Sequence, residues 1–538
     1  MMSTNIIEGF NNSGAIEIDA LTRNLVRRTC IGDVATRGAR HYGDRPALRD
    51  GGVVITYREL DRHANAVARG LLAHGLVRGD RLAVVAANSW QFVVTYFACA
   101  KAGIVFLPIN FHLSADEIAY QLNDSAVTAA VADIDRSRTL ITAAGAVPTI
   151  RRLWVLGAEP DTAPGDMECR PWNELVEHDP SPVEVLVHDD DILHCLYTSG
   201  TTSAPKGVLT SHSAVLIAIL STALQMGHRR GATGSVMPIV LPMFHVTALD
   251  SLMMPVLTTG GTVLLHDGFD ANVIAEEIEQ FAVTHLVLIP MMWEALLRVT
   301  TASNIDTTSL RLGIYAMSPM SLERLDAIRE AFPNADVVLA SGQTETTPMS
   351  EMQWPADQRR KHGSWGSPSV TTDVAIMAPD GTLLPAGVEG EIVYRTPQLM
   401  TEYWANPQAN QDAFAHGWFH SGDIGYLDDD GGVWFTDRLK DIVKTGGENV
   451  SSLEVEQTIA AHPDVLECAV VGTSHPRWGE AVTAFLVCDP ASTPTEGEII
   501  AFCKQRLAGY KVPKTVHVVD TLPKTATGKI EKHKLRRS

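Results

Sequence analysis

At 538 residues the chain exceeds one ordinary domain and can bury two or more cores. Hydrophobic residues at 45% and charged residues at 20% exclude a disordered protein on composition, and a net charge of −20 argues against a general nucleic-acid or anionic-membrane binder. That charge is uneven: from Lys504 onward ten Lys/Arg face two acids, Asp520 and Glu531, so an acidic body carries a basic tail suited to approach a small polyanion.

Residues 1–20 carry acids and asparagines where a signal peptide needs a basic start and an apolar run. The longest apolar stretches, 214–226 and 286–299, are too short or are interrupted by Pro290 and Glu294, so no membrane span and a cytoplasmic location are expected. Seven scattered cysteines without a CxxC pair fit reduced thiols rather than a disulfide framework or a zinc site.

In chain order, Thr56 and Glu59 form a capping box opening a helix with apolar Leu60, Ala64, Val67, Leu71 and Leu72 on one face. A strand (82–86), a helix (90–101), a strand (105–109) and a helix capped by Ser114 and Glu117 follow, then strands at 127–131 and 153–156. Past residue 207, apolar runs at 236–241, 262–265, 285–289, 312–316 and 337–340 alternate with helical patterns such as 321–332. Alternating units of this kind predict parallel sheets covered by helices. After about 370 shorter strands and tight turns predict a small β-rich subdomain, and the last hundred residues hold strands (467–471, 483–487, 516–519) and helices (452–461, 496–507) of their own. The expected organisation is an α/β protein: a large N-terminal domain (1–436, with the β-rich part at about 370–436), a hinge (437–441) and a small mobile α+β C-terminal domain (442–538).

The stretch YTSGTTSAPKG at 197–207 packs hydroxyls, glycines and one lysine into a loop after an apolar run, which suits a polyphosphate cradle. It is not the P-loop of nucleotide triphosphatases, because Pro205 precedes Lys206 and Gly207 follows it. SGQTE at 341–345 sets a hydroxyl and a carboxylate after a strand, where open α/β sheets bind ligands. Glu345 offers the hard oxygen that magnesium needs. GWFHSGD at 417–423 supplies an acid suited to paired ribose hydroxyls. DRLKD at 437–441 runs into KTGGENV at 444–450, and PKTATGK at 523–529 places a lysine after a flexible turn.

These six motifs in this order resemble the acyl-adenylate-forming superfamily of acyl-CoA synthetases, peptide-synthetase adenylation domains and beetle luciferases, over nearly the whole chain. The resemblance implies that a carboxylate attacks the α-phosphate of ATP to give acyl-AMP and pyrophosphate, and that a thiol then displaces AMP. It implies that Thr198, Ser199, Gly200, Thr201, Thr202 and Lys206 hold the phosphates and that Glu345, with Thr201, places magnesium. Thr344 contacts the α-phosphate. Met317, Ser318, Pro319, Ala340, Ser341 and Gly342 border the adenine, and Asp423 and Arg438 grip the ribose. Lys529 bridges the carboxylate and α-phosphate, Lys440 is the hinge, and Gly446 and Gly447 line the path of a pantetheine arm. ATP, magnesium and coenzyme A are the implied cofactors.

Two positions depart from the family pattern: Ser203 stands where glycine is usual, and Ser341 where an aromatic stacks on adenine. His245 occupies the position of the aspartate that pairs with an α-amino group in peptide synthetases, which points instead to an acyl- or aryl-CoA ligase with His245 at the acid pocket. Small Ala316 and Gly342 leave room there, and Met291, Met292, Trp293, Met317 and Met349 are candidate liners. A carrier protein as acceptor and a catalytically inactive binding relative are the alternatives, and the acid's identity and the oligomeric state stay open.

Overall fold

The computed structural model describes residues 18–157, 167–198, 205–231, 234–303, 305–316, 320–445, 448–488, 492–524 and 530–536. Its largest sheet has eight strands in the order Glu402–Tyr403, Lys206–Ser211, Ile192–Thr198, Val105–Pro108, Arg81–Val85, Ala129–Asp133, Arg152–Leu156 and Glu168–Pro171. The five pairings from Ile192–Thr198 outward to Glu168–Pro171 are parallel, whereas Lys206–Ser211 returns antiparallel beside Ile192–Thr198.

Both expected capping boxes are present. The Thr56 and Ser114 side chains accept from the backbone of Glu59 and Glu117, and each glutamate reaches back to its cap. The Thr56 box opens Tyr57–Ala73 and the Ser114 box Ala115–Asp124; Tyr57–Ala73 packs on Trp90–Ala102, in which every residue from Phe92 to Ala102 is buried. A helix apolar on all faces belongs between layers. The strand expected at 127–131 begins later, at Ala129, because Ser125 N and Val127 N bond back to Gln121 and Leu122 and Ala126 takes φ 50° to end the preceding helix.

Two further sheets complete the α/β body: Val236–Ile239, Thr262–Leu265, Pro46–Asp50 and Val53–Thr56; and His285–Leu288, Leu312–Tyr315, Asp336–Ser341, Glu351–Met352 and Ser367–Pro368. The β-rich part is a four-stranded antiparallel sheet, Asp373–Met377, Gly390–Arg395, Phe419–Leu427 and Val433–Arg438. Its last strand includes Asp437 and Arg438, so the connection to the next unit is shorter than expected, residues 439–442.

The C-terminal unit has its own sheet and its own core of Val443, Val450, Val455, Ile459, Val470, Val482, Leu486 and Ile499. Val465–His475 is longer than the apolar run suggests. Its polar end stays in register with Gly479–Cys488, where the Thr473 and Thr483 hydroxyls bond across the strands at 2.7 Å. Among the described residues no helix is long and apolar enough to cross a membrane. All seven cysteines are free, and five are buried.

Candidate active site

The strands Ile192–Thr198 and Lys206–Ser211 form a hairpin that pairs Thr198 with Lys206 and so delivers both ends of the cradle to one sheet edge. Gly207 is there for space: a Cβ would sit 2.8 Å from Cys195 Sγ and 3.3 Å from Trp404. Ser199, Gly200, Thr201, Thr202 and Ser203 lie outside the described residues, as do Met317, Ser318, Pro319, Gly446, Gly447 and Lys529.

The strand Asp336–Ser341 carries Ala340 and Ser341 to its C-terminal end, and a single 3₁₀ turn, Thr344–Thr346, then presents Thr344 and Glu345. The loop beyond is fixed by fully buried Gln398, whose Nε2 donates to the carbonyls of Thr346 and Thr347 at 3.0 Å. Glu345 is gripped twice: its carbonyl accepts from Met400 N at 2.7 Å, and its Oε1 accepts from the Tyr403 hydroxyl at 2.9 Å. The face of the same Tyr403 ring lies 4.7 Å from Lys206 Nζ. Burial and the Glu345 carboxylate push the Tyr403 phenol well above its ordinary pKa, and Arg438 opposes them, so Arg438 stands within electrostatic reach of this pair.

Asp423 and Arg438 face each other as cross-strand partners, with Arg438 Nε 2.6 Å from Asp423 Oδ1. Gly422, at φ 71°, turns the chain into Asp423, whose backbone N–H is held by Ser421 Oγ at 3.0 Å. A cavity of about 310 Å³ is lined by Lys206 and Tyr403, by Glu391, His420, Ser421 and Gly422 of the β-rich sheet, and by the helix residues Ala409, Asp412 and Ala413.

At His245, the residue expected at the acid pocket, desolvation lowers the pKa to about 4, so it is neutral at physiological pH, and its Nε2 has no hydrogen-bond partner among the described residues. Its ring lies 4.5 Å from that of Phe244, which meets Phe111 edge-on at 5.1 Å. A π-helical turn, Thr247–Met253, follows. Its Asp250 accepts from Tyr96 Oη and lies against His194 Nε2, both at 2.8 Å and all three side chains fully buried. Turns of this type concentrate at functional sites.

The expected pocket lining needs correction. The space beside Gly342 is taken: a Cβ there would lie 2.6 Å from Pro348 Cβ. Trp293 is fully buried in the core with its indole N–H on the Ile314 carbonyl, and Met291 is 66% exposed on the surface. Tyr403, Gln398 and Glu351 escaped sequence reading. Only Tyr403 had a usable signal, as an aromatic pair with Trp404 just before a turn.

Lys440 is exposed at the joint, and its carbonyl accepts from Arg536 at 2.8 Å. Asp437 Oδ2 accepts from Ser452 N, Ser452 Oγ and Leu453 N, so a carboxylate of the large domain caps the first helix of the small one, Ser452–Ala460.

The donor set fits a magnesium nucleotide. Among the described residues no three His, Cys, Asp or Glu side chains converge, so a cation here would rest on Glu345 together with phosphate oxygens and water, which is magnesium's habit. A half-buried lysine, a carboxylate and an acid–arginine pair, each brought in by a different sheet, are the arrangement of a nucleotide-binding enzyme of the adenylate-forming type.

The chain belongs to the AMP-binding enzyme family: the family's model matches residues 35–404, and that of the AMP-binding enzyme C-terminal domain matches 454–529. A feruloyl-CoA synthase from Amycolatopsis sp. is 35% identical over 516 residues, covering 95% of this chain and 99% of that protein. An anthranilate CoA ligase solved with anthranoyl-AMP superposes with a TM-score of 0.83 at 27% identity, covering 94% and 96% of the two chains. The o-succinylbenzoate CoA synthetase of Bacillus subtilis, solved with ATP and magnesium, gives 0.82 at 28% identity, covering 94% and 99%.

Proposed function

We propose that this chain is an AMP-forming acid–CoA ligase: a carboxylate displaces pyrophosphate from ATP to give acyl-AMP, and the thiol of coenzyme A displaces AMP to give the thioester. The observation that carries this is the convergence of residues from four distant motifs: Lys206 and Glu345 meet at Tyr403, and Arg438, paired with Asp423, lies within electrostatic reach of that tyrosine. Lys206 neutralises charge on the departing phosphates. Glu345 holds magnesium, which draws electron density from the phosphate oxygens when bound. Asp423, oriented by Arg438, takes the ribose hydroxyls, and Thr344 borders the α-phosphate. Lys529 is assigned the contact between the carboxylate and the α-phosphate. Such sites work by positioning and fixed charge rather than by proton transfer.

Neutral His245 with Phe244 and Phe111 gives the acid side flat apolar faces, and the feruloyl- and anthranilate-using relatives support aromatic acids as the class. The test is AMP formation with ATP, magnesium, coenzyme A and a panel of aryl, straight-chain and alicyclic acids, beside Lys529→Ala. Thioester from aryl acids, and loss of adenylation in the variant, are expected. Pyrophosphate release without any transfer to free coenzyme A would point to a carrier protein as acceptor.

A further inference from the structure

We infer that Tyr403 is a positioning residue that fixes the spacing between the magnesium carboxylate of Glu345 and the phosphate ammonium of Lys206, which rests on the roles proposed above for those two residues. Its backbone has little freedom. Thr401 N donates to Leu209 O and Trp404 N to Gly207 O, both at 2.7 Å, which ties the Tyr403 strand to the strand of Lys206. Met400 N donates to Glu345 O at 2.7 Å, which ties it to the turn of Glu345, and Tyr403 N donates to Asn410 Oδ1 at 2.7 Å.

From that anchor the side chain serves both charges at once, its hydroxyl on Glu345 Oε1 at 2.9 Å and its ring face 4.7 Å from Lys206 Nζ. A phenol suits this place for a reason of charge. One O–H occupies one of a carboxylate's several acceptor sites and leaves the remainder, and the full negative charge, for a hard cation. An arginine or lysine would hold Glu345 equally well but would neutralise it. The electron-rich ring attracts the ammonium without pairing its charge, so Lys206 stays available to phosphate oxygens.

The test is ATP affinity by titration calorimetry, with and without magnesium, in wild type, Tyr403→Phe, Tyr403→Leu, Glu345→Gln and the Phe–Gln double variant. Tyr403→Phe keeps the ring and is expected to weaken ATP binding about tenfold at limiting magnesium, the loss of a charge-assisted hydrogen bond, and less than about twofold without the metal. Tyr403→Leu, lacking the ring, should also weaken metal-free ATP binding. In the Glu345→Gln background Tyr403→Phe should add nothing, since the two act through one bond. Equal losses with and without magnesium, additive effects in the double variant, or a Phe variant identical to wild type would each overturn the inference. Because the measurement needs no acid, a wild type that binds magnesium ATP yet forms no thioester from the panel fails the ligase assignment alone.

Discussion

The nucleotide side and the acid side of this site are built on opposite plans. On the nucleotide side, Lys206, Glu345 and Arg438 are half-buried and Asp423 is buried, and each carboxylate is steered by one partner: Glu345 by the Tyr403 hydroxyl, and Asp423 by its ion pair with Arg438. On the acid side His245 is half-buried and neutral, and Asp250, five positions on, is enclosed in the core by His194 and Tyr96. A site for phosphates needs fixed charge in fixed places and therefore fixed residue types. A site for a carbon skeleton needs only a shape, which many side chains can supply.

Four experiments test that contrast. The largest effect belongs to charge: Lys206→Ala should slow acid-dependent pyrophosphate release by about 10²–10³-fold, with the Michaelis constant for the acid little changed. A comparable rise in that constant would erase the distinction between the two sides.

Next comes Glu351, which the fold buries completely beneath the nucleotide side, as the cross-strand partner of Ser341. Burial, reinforced by Asp423, raises its pKa to about 8 against a usual 4.5. The folded state therefore holds a proton that the unfolded chain loses. This contribution to stability is complete below about pH 4.5 and is lost as pH rises through about 8. Denaturant unfolding of wild type should lose on the order of 3–5 kcal/mol across that window relative to Glu351→Gln. Parallel curves for the two proteins would show that Glu351 does not titrate there.

Ser341→Tyr restores an aromatic at the adenine edge and should tighten ATP by roughly 1–3 kcal/mol in stacking energy. No gain would mean that another group already covers the base. The smallest effect is expected on the acid side, where His245→Asn should change the Michaelis constants of aryl acids severalfold, about 1 kcal/mol, and leave that for ATP as it is.

The same contrast explains what could be read from the residues alone. Capping boxes at Thr56 and Ser114, alternating apolar runs and the six ordered motifs carried the layered α/β body and the nucleotide side, because each depends on local chemistry. Tyr403, Gln398 and the His194–Asp250–Tyr96 cluster did not announce themselves, since the contacts that give them their roles reach 52 or more positions along the chain. Gly342 and Trp293 misled for the opposite reason. A small residue beside a site reads as open space until Pro348 is seen to fill it, and an indole near an apolar run reads as lining until its N–H is found on Ile314.

The cap that Asp437 places on the helix Ser452–Ala460 bears on how the two domains can part. One carboxylate oxygen holds three donors of the small domain, and Arg536 adds a tie to Asp441 at 2.6 Å. A turn about residue 440 would part that helix from this carboxylate and leave Asp437 Oδ2 without its three donors, with Arg438 N still on Oδ1, so intermediate angles forfeit all three. An exchange of that kind would make the joint a latch with discrete settings rather than a loose tether, with the time spent in each governed by what else can accept those three hydrogens.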